Sequence, residues 1–79
     1  MKIRVRFFGP AAETAGCSET DVEAEGTVAG AIAAVLEKHP GLESLSGGMK
    51  YARNTEYATP ESPLEEGDIL SFLPPVGGG

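Results

Sequence analysis

One cysteine, one histidine, six basic residues against twelve acidic ones, and no long apolar run: the scarcities of this 79-residue chain narrow its function first. Cys17 stands alone, so neither an internal disulfide nor a cysteine-rich metal site can form. A ferredoxin is excluded with it, because an iron–sulfur cluster needs several thiolates. As a nucleophile Cys17 lacks an evident base or thiolate-stabilising setting and reads as an ordinary free thiol. His39, directly before Pro40, suits a helix-end charge or cap contact better than catalysis. Metal-ligand spacing is absent. The formal charge of −6 argues against nucleic-acid binding, which relies on Lys and Arg neutralising phosphates, and suits encounter with a basic protein surface. With no apolar stretch long enough for a signal peptide or a membrane span, the expected location is cytoplasmic and no membrane partner is expected. The length allows one domain with one modest core and no room for a deep pocket of its own.

What is present is a clear pattern of elements. Lys2-Ile3-Arg4-Val5-Arg6-Phe7-Phe8 alternates polar and apolar residues, so a strand should bury Ile3, Val5 and Phe7. Phe8 would then share the outer face with Lys2, Arg4 and Arg6. Gly9-Pro10 breaks the strand, a helical turn over 11–15 ends at Gly16, and a second strand fits 19–24. The spacing of Val28, Ile32, Val35 and Leu36 predicts a helix over 27–39 with Thr27 as N-cap and Pro40-Gly41 as stop. Gly30 inside it is either a cost or a place of close approach to the sheet. Leu42 and Leu45 should close the core beneath a loop ending at Gly47-Gly48. Short strands at 49–54 and 57–58 flank a turn at Asn54-Thr55-Glu56. Glu65, Glu66 and Asp68 flank a turn glycine and read as a solvated loop, not an acid/base pair.

A last strand, Ile69 to Leu73, would turn Leu70 and Phe72 inward and leave Ile69, Ser71 and Leu73 outside. Strands on both sides of one helix give an α+β roll, a mixed sheet packed on one main helix. Were the first and last strands neighbours, Phe8, Leu73 and Tyr57 would form an apolar patch on the open sheet face, a candidate partner surface. The body of the domain offers no catalytic constellation.

The end of the chain is different. Pro74-Pro75 stops strand pairing and projects Val76-Gly77-Gly78-Gly79 outward by about 13 Å. Glycines fit a channel too narrow for side chains. The reactive group so delivered is the α-carboxylate of Gly79, which can be activated as an acyl-adenylate and displaced by a nucleophile. That use requires that no residue come after Gly79. The chain therefore divides into a domain at 1–73 and an extended tail at 74–79.

The stretches "KIRVRFFGP", "AGAIAAVLEKHPGL" and above all "EEGDILSFLPPVGGG" resemble the small subunits of molybdopterin synthase, in the MoaD/ThiS family of ubiquitin-like sulfur carriers. The resemblance spans essentially the whole chain and implies a β-grasp fold. It implies that Gly79 is adenylated by an E1-like enzyme using ATP and Mg²⁺, with no cofactor bound by the domain itself. It also implies that a sulfur donor protein supplies the sulfur of a thiocarboxylate. That sulfur would pass to a pterin precursor in a large subunit that carries the catalytic residues, within a heterotetramer. The small subunit is then no enzyme on its own. Gly78 and Gly79 match the family's terminal pair, Gly77 departs from its usual residue, and Phe8, Tyr57 and Leu73 match its apolar docking positions. The same framework leaves three other uses open: sulfur delivery to thiamine or cysteine synthesis, conjugation of Gly79 to a lysine as a protein modifier, and an interaction module with an inert tail.

Overall fold

The computed structural model describes residues 1–74, apart from the side chain of Ser46. The expectations for the tail, Gly77, Gly78 and Gly79 included, lie outside the described residues.

Alternation in Lys2–Phe7 makes strand β1, in which Ile3, Val5 and Phe7 are buried while Lys2, Arg4 and Arg6 are exposed. Helix α1 (Pro10–Ala15) comes at once after it. Pro10 has no N–H to lose in a first helical turn, and Gly16 closes the helix in the left-handed region at φ 78°, donating its N–H to the Ala12 carbonyl. Strand β2 is Glu19–Glu23, helix α2 is Val28–Lys38, and strands β3, β4 and β5 are Lys50–Arg53, Glu56–Ala58 and Ile69–Leu73.

The five strands form one sheet in the order β2-β1-β5-β3-β4. Of these four pairs one, β1–β5, is parallel, with Val5 beside Leu70 and Phe7 beside Phe72. The other pairs are antiparallel. One face of the sheet buries Ile3, Val5, Phe7, Val22, Leu70 and Phe72 in a core shared with α2. Phe72 meets Phe7 and Tyr51 edge-on, at ring-centroid distances of 5.5 and 5.1 Å. Each large apolar side chain enclosed in this way contributes about 1.5–3 kcal/mol.

Helix α2 is capped as its sequence implies: Thr27 Oγ1 accepts from the Gly30 N–H at 3.3 Å. Its buried seam runs through Val28, Ala31 and Val35, whereas Ile32 and Leu36 are only half-buried. Gly30 is a place of close approach, but to the preceding loop and not to the sheet. A Cβ there would lie 2.5 Å from the Glu25 carbonyl oxygen, a backbone atom that cannot swing aside.

Two local expectations change. Residues Pro40–Gly48 form a 3-10 segment instead of an open loop, with Leu42 buried and Leu45 half-buried beneath it. His39 caps α2 through its backbone N–H, which donates to the Val35 carbonyl at 2.7 Å, but its ring turns inward. The imidazole stands edge-on to Phe7 at 5.7 Å, and its Nε2 is buried without a hydrogen-bond partner among the described residues. His39 is a packing residue here.

Candidate functional site

The helices cover one face of the sheet and leave the other open, and strand register divides that open face in two. On the β2–β1 side, Arg4 lies opposite Asp21 and Arg6 opposite Glu19. Arg6 pairs with Glu19 at 3.1 Å, and Arg4 reaches Asp21 at 3.4 Å and Glu19 at 3.7 Å. Exposed pairs of this kind are worth about 0–1 kcal/mol each, so their main effect is to neutralise the arginines. The basic cluster at the start of the chain is therefore answered by the chain's own carboxylates.

On the β5–β3–β4 side the face is mostly apolar, with Lys50, opposite Leu73, as its one charge among the described residues. Register places Ser71 beside Ala52, and Ala52 beside Tyr57. These two small residues floor a recess of about 300 Å³, whose walls are Phe8, Leu73, Tyr57 and the Asn54-Thr55 turn. Phe8 is 45% and Tyr57 78% exposed, unusual for large apolar side chains, while Leu73 is only half-buried and Ser71 is buried. Leu73 faces outward as expected but is less exposed than Phe8, because β5 lies between β1 and β3, whose side chains shade it. The structure brings Phe8, Tyr57 and Leu73 together around one concavity. Ala52 and Ser71 were not foreseen as part of it; their signal is smallness at outward positions of strands.

The recess runs along the outward side of β5, from the Asn54-Thr55 turn at the strand's start to Leu73, where the chain leaves it. Because β1 and β5 run parallel, Gly9, next after Phe8, comes alongside Pro74, next after Leu73; a Cβ on Gly9 would lie 3.8 Å from Pro74 Cγ. The root of the tail is thereby fixed next to Phe8.

The far end of β5 is held by Asp68, read from sequence as part of a solvated loop. Its carboxylate accepts from Arg53 Nε at 2.7 Å, the Glu65 N–H at 2.8 Å and Asn54 Nδ2 at 3.4 Å. Desolvation alone would raise its pKa, but these donors outweigh it and hold the carboxyl below the ordinary aspartate range. Asn54, at φ 56°, in turn accepts from the Ile69 N–H of the strand through Oδ1. This clasp fixes the β3–β4 turn that forms one wall of the recess.

Among the described residues no group of His, Cys, Asp and Glu is arranged to hold a metal, and no helix is long and apolar enough to cross a membrane. Cys17 is a half-buried free thiol.

A mixed sheet in the order β2-β1-β5-β3-β4, one main helix across it and one open face define the class: a ubiquitin-like β-grasp protein. The ThiS family model matches residues 5–79, and the chain belongs to that family of small sulfur carriers. It is 32% identical to the molybdopterin synthase sulfur carrier subunit of Chlamydomonas reinhardtii, with all of both chains covered. It is 34% identical to small archaeal modifier protein 1 of Haloferax volcanii, covering 94% of this chain and 97% of that one. A crystal structure of that Haloferax protein superposes with a TM-score of 0.90 at 32% identity, over the whole of both chains. A solved complex of subunits 1 and 2 of the molybdopterin-converting factor from Helicobacter pylori contains a chain matched at TM-score 0.74 and 32% identity, again over the full length of both.

Proposed function

We propose that this protein is the sulfur-carrying small subunit of a molybdopterin synthase. The observation that carries the reading is the position of the recess: Phe8, Leu73 and Tyr57 line it, and its Phe8–Leu73 end is where the tail begins. A partner seated there would stand next to the emerging tail and could receive it. Similarity to the Chlamydomonas sulfur carrier and to a chain of the Helicobacter complex supports the choice of partner, a large synthase subunit.

In this reading the Gly79 carboxylate attacks the α-phosphorus of ATP on an E1-like enzyme, with Mg²⁺ there, and pyrophosphate leaves. A sulfide equivalent from a sulfur donor protein then displaces AMP, leaving a thiocarboxylate. The large subunit supplies the catalytic residues that pass the sulfur to a pterin precursor, and the small subunit supplies the nucleophilic sulfur and the docking face. Gly77 and Gly78, without side chains, let the tail enter a narrow active-site channel.

A second reading is favoured by one specific similarity, that to the archaeal modifier protein, which covers nearly the whole chain. There the activated Gly79 would be taken by a lysine amine as an isopeptide. Top-down mass spectrometry of the protein from its own cells separates the two. Sulfur in place of oxygen, located on Gly79 by fragmentation, supports the carrier. A Gly79–lysine linkage supports the modifier. An unaltered carboxylate in every molecule would overturn both.

A further inference from the structure

Strand β4 is one edge of the sheet, β2 being the other, and beside β4 lies a trough of about 670 Å³. Its lining comes from three places: Ile32 of α2, the run Met49-Lys50-Tyr51 at the start of β3, and the stretch from Tyr57 to Pro60. The volume falls within the range of about 300–1,000 Å³ that ligand-binding clefts occupy.

Among the described residues, Lys50 is the single charged one in this lining. Its ammonium has no ion-pair or hydrogen-bond partner among the described residues. Most of the chain's other cations are engaged: Arg4 and Arg6 by Glu19 and Asp21, Arg53 by Asp68, and Lys38 by the Thr20 hydroxyl and the Asp21 carbonyl; Lys2, far from the trough on β1, is the exception. An apolar trough with one unneutralised cation complements one chemistry, an apolar side chain next to a carboxylate. The trough also adjoins the recess on the open face. Tyr57 lines both, and Lys50 pairs in register with Leu73 at the root of the tail.

We infer that the trough is a second docking site, taking an acidic, apolar segment of the protein that receives the tail. Its apolar side chains lie against Ile32, Met49 and Tyr51, and its carboxylate meets Lys50. The inference rests on the docking reading above and extends it around the sheet edge. A partner engaging both concavities grips the domain from two sides, which fixes the direction in which the tail is presented.

The test uses the full-length protein and, as probe, the large synthase subunit of the same organism. Binding is measured by calorimetry for the wild type, Lys50→Gln, Lys50→Glu and Phe8→Ala, with thermal midpoints checked for each. Lys50 is exposed, so neither substitution at it should unfold the domain. Lys50→Gln should weaken binding about threefold and Lys50→Glu about tenfold, as expected for a charge contact at an interface rim. Hydrogen exchange in the complex should be slowed at Met49, Lys50 and residues 57–59. If Phe8→Ala weakens binding and both Lys50 variants bind within about twofold of wild type, the trough inference is overturned and the docking face stands. If the Lys50 variants bind weakly and Phe8→Ala binds normally, the trough is supported and the open-face reading fails.

Discussion

At the scale of single residues, position in the sheet decides what a side chain is for. Phe7 and Phe8 are neighbours in sequence, yet Phe7 is buried and Phe8 is 45% exposed, because successive strand residues point to opposite faces. Alternation made that contrast legible without coordinates. We expect the double variant Phe8→Ala, Leu73→Ala to bind the large subunit at least about tenfold more weakly, while its thermal midpoint moves by only a few degrees. Calorimetry with a parallel melting curve checks both, and unchanged affinity would remove the docking face. Gly30 shows the opposite case. Helix propensity taken alone favours Ala over Gly by about 1 kcal/mol. The Glu25 carbonyl 2.5 Å from any added Cβ reverses the sign, so Gly30→Ala should lower stability by about 1–3 kcal/mol in urea denaturation.

At the scale of elements, the clasp around Asp68 ties the entry of β5 to the end of β3 and to the turn that walls the recess. From sequence this aspartate was one carboxylate among three beside a glycine. Nothing local could reveal that Arg53 and Asn54 converge on it from another hairpin, 15 and 14 residues away. Its pKa is lowered in the folded state, so its contribution is present above the unfolded value, about 3.9, and is lost as pH falls through the folded value. Asp68→Asn should cost about 1–2 kcal/mol at neutral pH, from the weakened charge-assisted bonds. It should also flatten the fall in stability below about pH 4 relative to wild type. Urea titrations at a series of pH values test this, and parallel curves for the two proteins would show that the clasp does not carry the charge-linked stability. Helix α2 was far more legible, since cap, apolar spacing and proline stop all lie within its own stretch of chain.

At the scale of the whole molecule, charge is not spread evenly. The open face carries Lys2, Arg4, Arg6 and Lys50 against Glu19, Asp21 and Glu23, so it is nearly balanced, and the excess of carboxylates lies elsewhere. Composition alone suggested that this acidic chain meets a basic partner surface; in the docking proposed here, the face offered to the partner is nearly neutral. Association with the large subunit should therefore slow by less than about threefold between about 50 and 500 mM NaCl, as stopped-flow rates would show. A loss of about tenfold or more would place the outlying carboxylates in the contact. The sequence by itself determined the strands, the capped helix, the inward and outward residues of β1 and β5, and a family resemblance centred on the glycine-rich end. Each of these rests on local periodicity or on residues adjacent in the chain. Only the tertiary structure decided that β1 and β5 run side by side, gathering Phe8, Tyr57 and Leu73 over Ala52 and Ser71 at the root of the tail. Strand order is set by how distant apolar faces bury one another, and a linear pattern does not encode which distant face that is.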